Sequence, residues 1–184
     1  MINSDIVFVP GAWTIGKHYG PWPTVDIWLK EVATKLTNQP KVIIAYSLGA
    51  SWALSHIKFD NNTKFILINP LLDKKPLPKL FINWLKFLKQ ENIKDSILTN
   101  PTNWLHGFSL VIDLAKINLW PYLLKIPKEN LVIIKGDKDN FFCDQAGFNK
   151  AFKYNLKTQI VSAGHNWNHN IVQTVESQLT LLLN

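Results

Sequence analysis

Apolar and polar positions alternate between two rhythms along this chain. Short runs rich in β-branched and other apolar residues read as strands: Asp5 to Val9, Val42 to Tyr46, Lys64 to Asn69, Leu131 to Lys135 and Thr158 to Val161. Stretches with apolar residues three and four apart separate them and read as helices. The first such stretch carries Val25, Trp28, Leu29, Val32, Ala33 and Leu36, which predicts a helix from Thr24, an N-cap candidate, to Leu36, closed by Asn38-Gln39-Pro40. Others run through Trp52, Ala53, Leu54 and Ile57, from Ala146 to Phe152, and from Ile171 to Leu183. Strand then helix, repeated with short connections, implies parallel strands sandwiched between helices.

One long segment breaks the rhythm. From Pro70 to Lys128 the pattern is helical throughout, with Leu80, Phe81, Trp84, Leu85, Phe87 and Leu88 at helical spacing and a second helix expected from Asn103 to Leu119. The expected organisation is therefore an α/β core over residues 1–69 and 129–184, with residues 70–128 as a helical cap. Trp84, Phe87, Trp104, Phe108 and Trp120 are available to line an apolar cleft, although plain core packing also accounts for such residues. A minimal sheet of about five parallel strands flanked by helices is expected.

Composition narrows the classes of function. The 184 residues suffice for one domain with a substantial core, and 47% hydrophobic with 18% charged residues describes a globular chain. The net charge is +7, all 20 basic residues are Lys, and the cap segment carries nine of them against Asp73, Glu91, Asp95 and Asp113. Without Arg, the bidentate contacts that dominate nucleic-acid reading are not available, so an acidic protein or acidic substrate suits the charge better. No apolar run reaches the roughly 18 to 20 residues of a membrane span. The first ten residues lack the features of a signal peptide, and the single cysteine, Cys143, is read as a packing residue in a reducing, cytoplasmic setting.

The chemistry concentrates at three strand ends. Ala45-Tyr46-Ser47-Leu48-Gly49 joins a strand to a helix through small residues, a turn that lifts a Ser hydroxyl above a sheet and presents the amides of a helix N-terminus beside it. Gly136-Asp137-Lys138-Asp139 follows the fourth strand, and Ala163-Gly164-His165 follows the last. A Ser hydroxyl is a poor nucleophile until a base takes its proton, and the base needs an orienting carboxylate. In a doubly wound sheet the strand C-termini share one edge, so Ser47, Asp139 and His165 should meet there. Asp137 and Asp73 are alternative acids; His165 and His169 lack the Glu between them that a metalloprotease helix carries; His18, His56 and His106 carry no motif.

The order Ser, Asp, His, with these three motifs, resembles the α/β-hydrolase superfamily over nearly the whole length. The resemblance implies Ser47 as nucleophile, His165 as general base and Asp139 as orienting acid, with an oxyanion hole from the backbone N–H of Leu48 and of Ala12, or its neighbour Trp13, after Pro10-Gly11. Ala45 stands where the family usually has Gly, and Pro10 where it often has His. Within the superfamily the small core and Lys-rich insert look like the pimeloyl-acyl carrier protein methyl ester esterases. That implies a carboxylesterase without metal or cofactor, acting on a small acyl ester presented on an acidic carrier protein. Trp13, Trp84, Trp104 and Phe108 would line the cleft, and Lys74, Lys75, Lys79 and Lys86 would dock the carrier. A general small-acyl esterase or thioesterase, and a non-catalytic binding protein of the same fold, are the alternatives.

Overall fold

The computed structural model describes residues 4–14, 19–29, 38–90 and 101–183, and of these the side chains of 87–90 and 101–104 are outside the description. Five strands form one sheet: β1 (Ile6–Val9), β2 (Val42–Tyr46), β3 (Lys64–Ile68), β4 (Leu131–Gly136) and β5 (Lys157–Val161). All neighbours pair in parallel, and the spatial order β1-β2-β3-β4-β5 is the sequence order. The helices are α1 (Leu48–His56), α2 (Leu77–Gln90), α3 (Pro101–Ala115), α4 (Trp120–Leu123), α5 (Gln145–Lys153) and α6 (His169–Leu183). The parallel α/β sheet expected from the sequence is the observed one.

Period-two alternation sorts the strand side chains onto two cores. Val7, Val9, Ile43, Ala45, Phe65, Leu67, Leu131 and Ile133 face a cluster that includes Leu54 of α1, Leu80 of α2, Leu114 of α3 and Phe148 of α5. On the opposite face Phe8, Val42, Ile44, Ile66, Ile68, Val132 and Ile134 pack against Ile171, Val175, Leu179 and Leu182 of α6. Because the central strands are covered on both faces, they read as continuous apolar runs. The edge strand β5, only half covered, keeps Lys157, Thr158 and Gln159.

Two expected helices differ from the sequence reading. Thr24 does not cap a helix: it forms a parallel bridge with Phe8, whose N–H donates to Pro23 O at 2.8 Å and whose carbonyl accepts from Val25 N at 2.9 Å. Pro23 biases Trp22 to extended backbone, and the outer edge of β1 supplies unpaired groups for the segment to satisfy. Residues 25–29 are not helical either, and the remainder of that expected helix, over 30–36, lies outside the described residues. The helix expected to run from Asn103 to Leu119 ends instead at Ala115, and α4 starts at Trp120. Pro121 explains the break, since its ring would clash with the carbonyl four residues earlier and it is tolerated only in a first turn. Among the described residues no helix is long and apolar enough to cross a membrane.

Candidate functional site

Ser47 sits between β2 and α1 at φ 54° and ψ −126°, a backbone conformation that costs a non-glycine residue about 1 to 3 kcal/mol. Its surroundings hold it there. A Cβ on Gly49 would lie 2.5 Å from the carbonyl oxygens of both Val9 and Pro10, and one on Gly11 would lie 2.7 Å from the Tyr46 ring and 3.1 Å from Ser47 Cβ. The loop after β1 and the start of α1 therefore touch, which is why Gly49, two residues after the serine, and Gly11 are bare. Ala45 is no strained substitute for glycine: it pairs in register with Val9 and Leu67 inside the sheet, and the positive φ falls on Ser47.

The three strand ends converge. His165 Nε2 lies 3.0 Å from Ser47 Oγ, and His165 Nδ1 lies 2.7 Å from Asp139 Oδ2. All three residues are buried. Asp139 Oδ1 also accepts from Phe141 N at 3.1 Å and Phe142 N at 3.2 Å, and Oδ2 from Cys143 N at 3.3 Å. Burial alone would raise the Asp139 pKa; the charge and hydrogen bond of His165 and the amides of Phe142 and Phe141 outweigh it and hold the carboxyl below its ordinary value. An ionised Asp139 accepts from Nδ1, which leaves Nε2 as the acceptor for the serine hydroxyl.

A second set of residues positions the histidine, and the sequence reading did not single them out. Asn69 is fully buried at φ 46°; its side-chain oxygen accepts from Gly136 N at 2.7 Å, and its amide nitrogen donates to Gly164 O at 3.2 Å and His165 O at 3.1 Å. The Tyr46 hydroxyl donates to the same His165 carbonyl. Phe142 stands 4.4 Å from the imidazole, ring centre to ring centre, and Tyr46 stands 5.3 Å away. A polar Asn closing an apolar strand was the available signal for Asn69, since Asn is the side chain that best tolerates a left-handed turn while bonding locally.

The expected oxyanion donors flank the serine. Leu48 is the first residue of α1, where an N–H has no carbonyl within its own helix, and Ala12 follows Gly11 in the loop packed on Ser47. Trp13, at φ 54°, is buried against Trp28 at 6.3 Å, Trp84 at 5.1 Å and Phe108 at 5.3 Å between ring centres. Three of the four residues expected at the cleft thus meet one another around the loop that follows β1; the side chain of Trp104 lies outside the description. Trp120 is elsewhere, buried with its indole N–H on Asp73 Oδ1 at 2.7 Å, which occupies that alternative acid.

The other expectations separate cleanly. Asp137 is exposed and accepts from Ala163 N at 3.0 Å, tying the acid turn to the histidine loop. His169 is the exposed first residue of α6, His106 Nε2 contacts Ile27 O at 3.0 Å, His56 stacks on Trp52, and His18 is outside the described residues. Cys143 is buried, which pushes its thiol pKa up. Lys74, Lys79 and Lys86 are exposed, but Lys75 is not a docking residue. It is only 6% exposed, because its ammonium is enclosed by Phe141 O, Phe142 O and Asp144 Oδ2 at 3.1, 2.8 and 3.2 Å.

No protein-family model matches the chain, and no curated protein matches it in sequence. Solved structures do resemble it. A thermophilic esterase from Thermogutta terrifontis superposes with TM-score 0.55 at 12% identity, over 77% of this chain and 65% of the esterase. MenH from Staphylococcus aureus gives 0.51 at 15% identity over 99% and 93%, and BpoC of Mycobacterium tuberculosis, a candidate non-heme bromoperoxidase, gives 0.53 at 14% over 100% and 91%. The chain thus spans under two thirds of the esterase and nearly all of the other two. At such identities the likeness is one of architecture, and with five parallel strands flanked by helices the chain has the α/β-hydrolase fold.

Proposed function

We propose that this protein is a serine hydrolase of carboxylic esters. The observation that carries the reading is the chain of contacts from Ser47 Oγ through the His165 ring to Asp139, at 3.0 and 2.7 Å, on a serine held at positive φ. Ser47 Oγ attacks the ester carbonyl as its proton passes to His165 Nε2, while the N–H groups of Leu48 and Ala12 receive the developing oxyanion. Collapse returns that proton to the departing alkoxide, releasing the alcohol and leaving an acyl-serine. Water, deprotonated by His165, then frees the carboxylate and restores the hydroxyl. Asp139 keeps Nδ1 protonated and stabilises the imidazolium formed in both halves.

Residues 70–128 act in this reading as a cap over a core of 1–69 and 129–184, and the contacts of Trp84 and Phe108 with Trp13 support that division. Trp13, Trp84 and Phe108 would hold the acyl chain. The finer substrate reading is the methyl ester of a pimeloyl chain on acyl carrier protein, in biotin synthesis. What supports it is the sequence resemblance and the exposure of Lys74, Lys79 and Lys86 in the cap segment, suited to an acidic carrier.

The test compares turnover of a free short methyl ester, a p-nitrophenyl ester series and the carrier-linked methyl ester. A carrier-linked kcat/KM well above the free ester, falling with salt and with charge reversal at Lys74, Lys79 and Lys86, supports the carrier reading. Equal rates on free and linked esters leave a general small-acyl esterase. No turnover of any ester by folded protein overturns the hydrolase reading.

A further inference from the structure

The buried ammonium of Lys75 lies on the far side of two of the three peptide groups that hold Asp139. A trans peptide points its carbonyl and its N–H in opposite directions. The peptide joining Phe141 to Phe142 turns its carbonyl to Lys75 Nζ at 3.1 Å and its N–H to Asp139 Oδ1 at 3.2 Å. The next peptide, joining Phe142 to Cys143, turns its carbonyl to Lys75 Nζ at 2.8 Å and its N–H to Asp139 Oδ2 at 3.3 Å. Asn83 of α2 adds a second donor to the Phe141 carbonyl, at 2.5 Å. The ammonium's three protons thus have three oxygens, the last being Asp144 Oδ2 at 3.2 Å.

We propose that Lys75, assisted by Asn83, is a positioning residue that aligns and polarises two of the three peptides whose N–H groups fix Asp139 against His165. A cation at the carbonyl end and an anion at the N–H end both favour one orientation of each peptide dipole, and linked hydrogen bonds of this kind reinforce one another in a buried setting. The same loop carries Phe142, so the alignment also sets the ring that packs on the imidazole. Because Lys75 follows β3 and Asn83 lies on α2, the relay couples the seating of the helical segment to the acid-histidine pair. The inference rests on the proposed role of that pair. The titratable and charged groups around this loop are His165, Cys143, Lys135 and Asp144.

The test uses Lys75→Met and Asn83→Ala in the full chain, with two readouts. One is the NMR signal of the His165 Nδ1 proton, followed as pH is lowered; the other is the acid limb of kcat/KM on a p-nitrophenyl ester. For Lys75→Met the transition should move to higher pH by about one unit, since loss of the buried cation behind the acid loop favours protonation of the Asp139–His165 pair. Asn83→Ala should move it the same way by less, and carries the test by itself if Lys75→Met does not fold. Folded variants with the wild-type transition in both readouts overturn the relay, even if their rates drop. Because the proton signal requires no turnover, a failure of the relay is distinguishable from a failure of the hydrolase reading.

Discussion

Asn69 and His165 are joined by a side-chain-to-backbone hydrogen bond of 3.1 Å, and through the other end of its amide Asn69 also grips Gly136, the last residue of β4. One buried side chain therefore sets the spacing of the β3, β4 and β5 ends from which the site is built. Removing it leaves Gly136 N–H and the Gly164 carbonyl without this partner, and each buried unsatisfied group costs about 1 to 3 kcal/mol. Asn69→Ala should lower the unfolding free energy by about 2 to 4 kcal/mol in a urea melt. Tyr46→Phe, which removes a donor to the His165 carbonyl, should cost about 1 kcal/mol. An Asn69→Ala protein as stable as wild type would show that the strand ends are set elsewhere.

Gly107 fits where a side chain cannot. A Cβ there would collide with Trp13 Nε1 and Cδ1, so α3 reaches the loop after β1 only because this position is bare. Gly107→Ala replaces a poor helix former by a good one, which should gain about 1 kcal/mol in an isolated helix. Overpacking works against this, at about 1 to 3 kcal/mol. The expected net result is a less stable protein with a larger change in KM than in kcat for long acyl esters, read by thermal melts and an ester chain-length series. Net stabilisation with unchanged KM would place α3 away from the acyl chain.

The pH dependence follows from Asp139. Its folded carboxyl is held below its ordinary value by His165 and the loop amides, against burial, so in acid the unfolded chain binds the proton first. Stability from this group is fully present above the unfolded carboxylate pKa and is lost as pH falls through the lower, folded one. Thermal melts between pH 7 and pH 3 should show a drop concentrated at the acid end, and Asp139→Asn should flatten it. The same substitution should reduce kcat by about 10³- to 10⁴-fold through loss of the correct imidazole tautomer. An Asp139→Asn protein with an unchanged acid slope would assign that slope to other carboxylates, such as Asp144.

Much of this was legible because it depends on local pattern. Four of the five strands are short apolar runs closed by Pro10, Ser47, Asn69 and Gly136, and parallel topology then places Ser47, Asp139 and His165 at one edge whatever their separation in sequence. What stayed hidden depends on contacts across the sheet. Nothing near Lys75 in sequence shows that it turns inward to the loop after Asp139, and an exposed docking lysine was the natural expectation for a Lys-Lys-Pro turn. Asn69 and Tyr46 act through backbone groups of a loop roughly a hundred residues later. Thr24 misled because helical spacing in its segment is real, while the unpaired edge of β1 claims the first residues as extended chain.

Whether Ser47 is an activated nucleophile is read by fluorophosphonate labelling of the folded protein with peptide mapping. Wild type should label stoichiometrically at Ser47, Ser47→Ala not at all and His165→Ala far more slowly, with a parallel loss of p-nitrophenyl ester turnover by about 10⁴- to 10⁶-fold. Labelling at another residue, or none in a protein whose near-ultraviolet circular dichroism shows it folded, would contradict it.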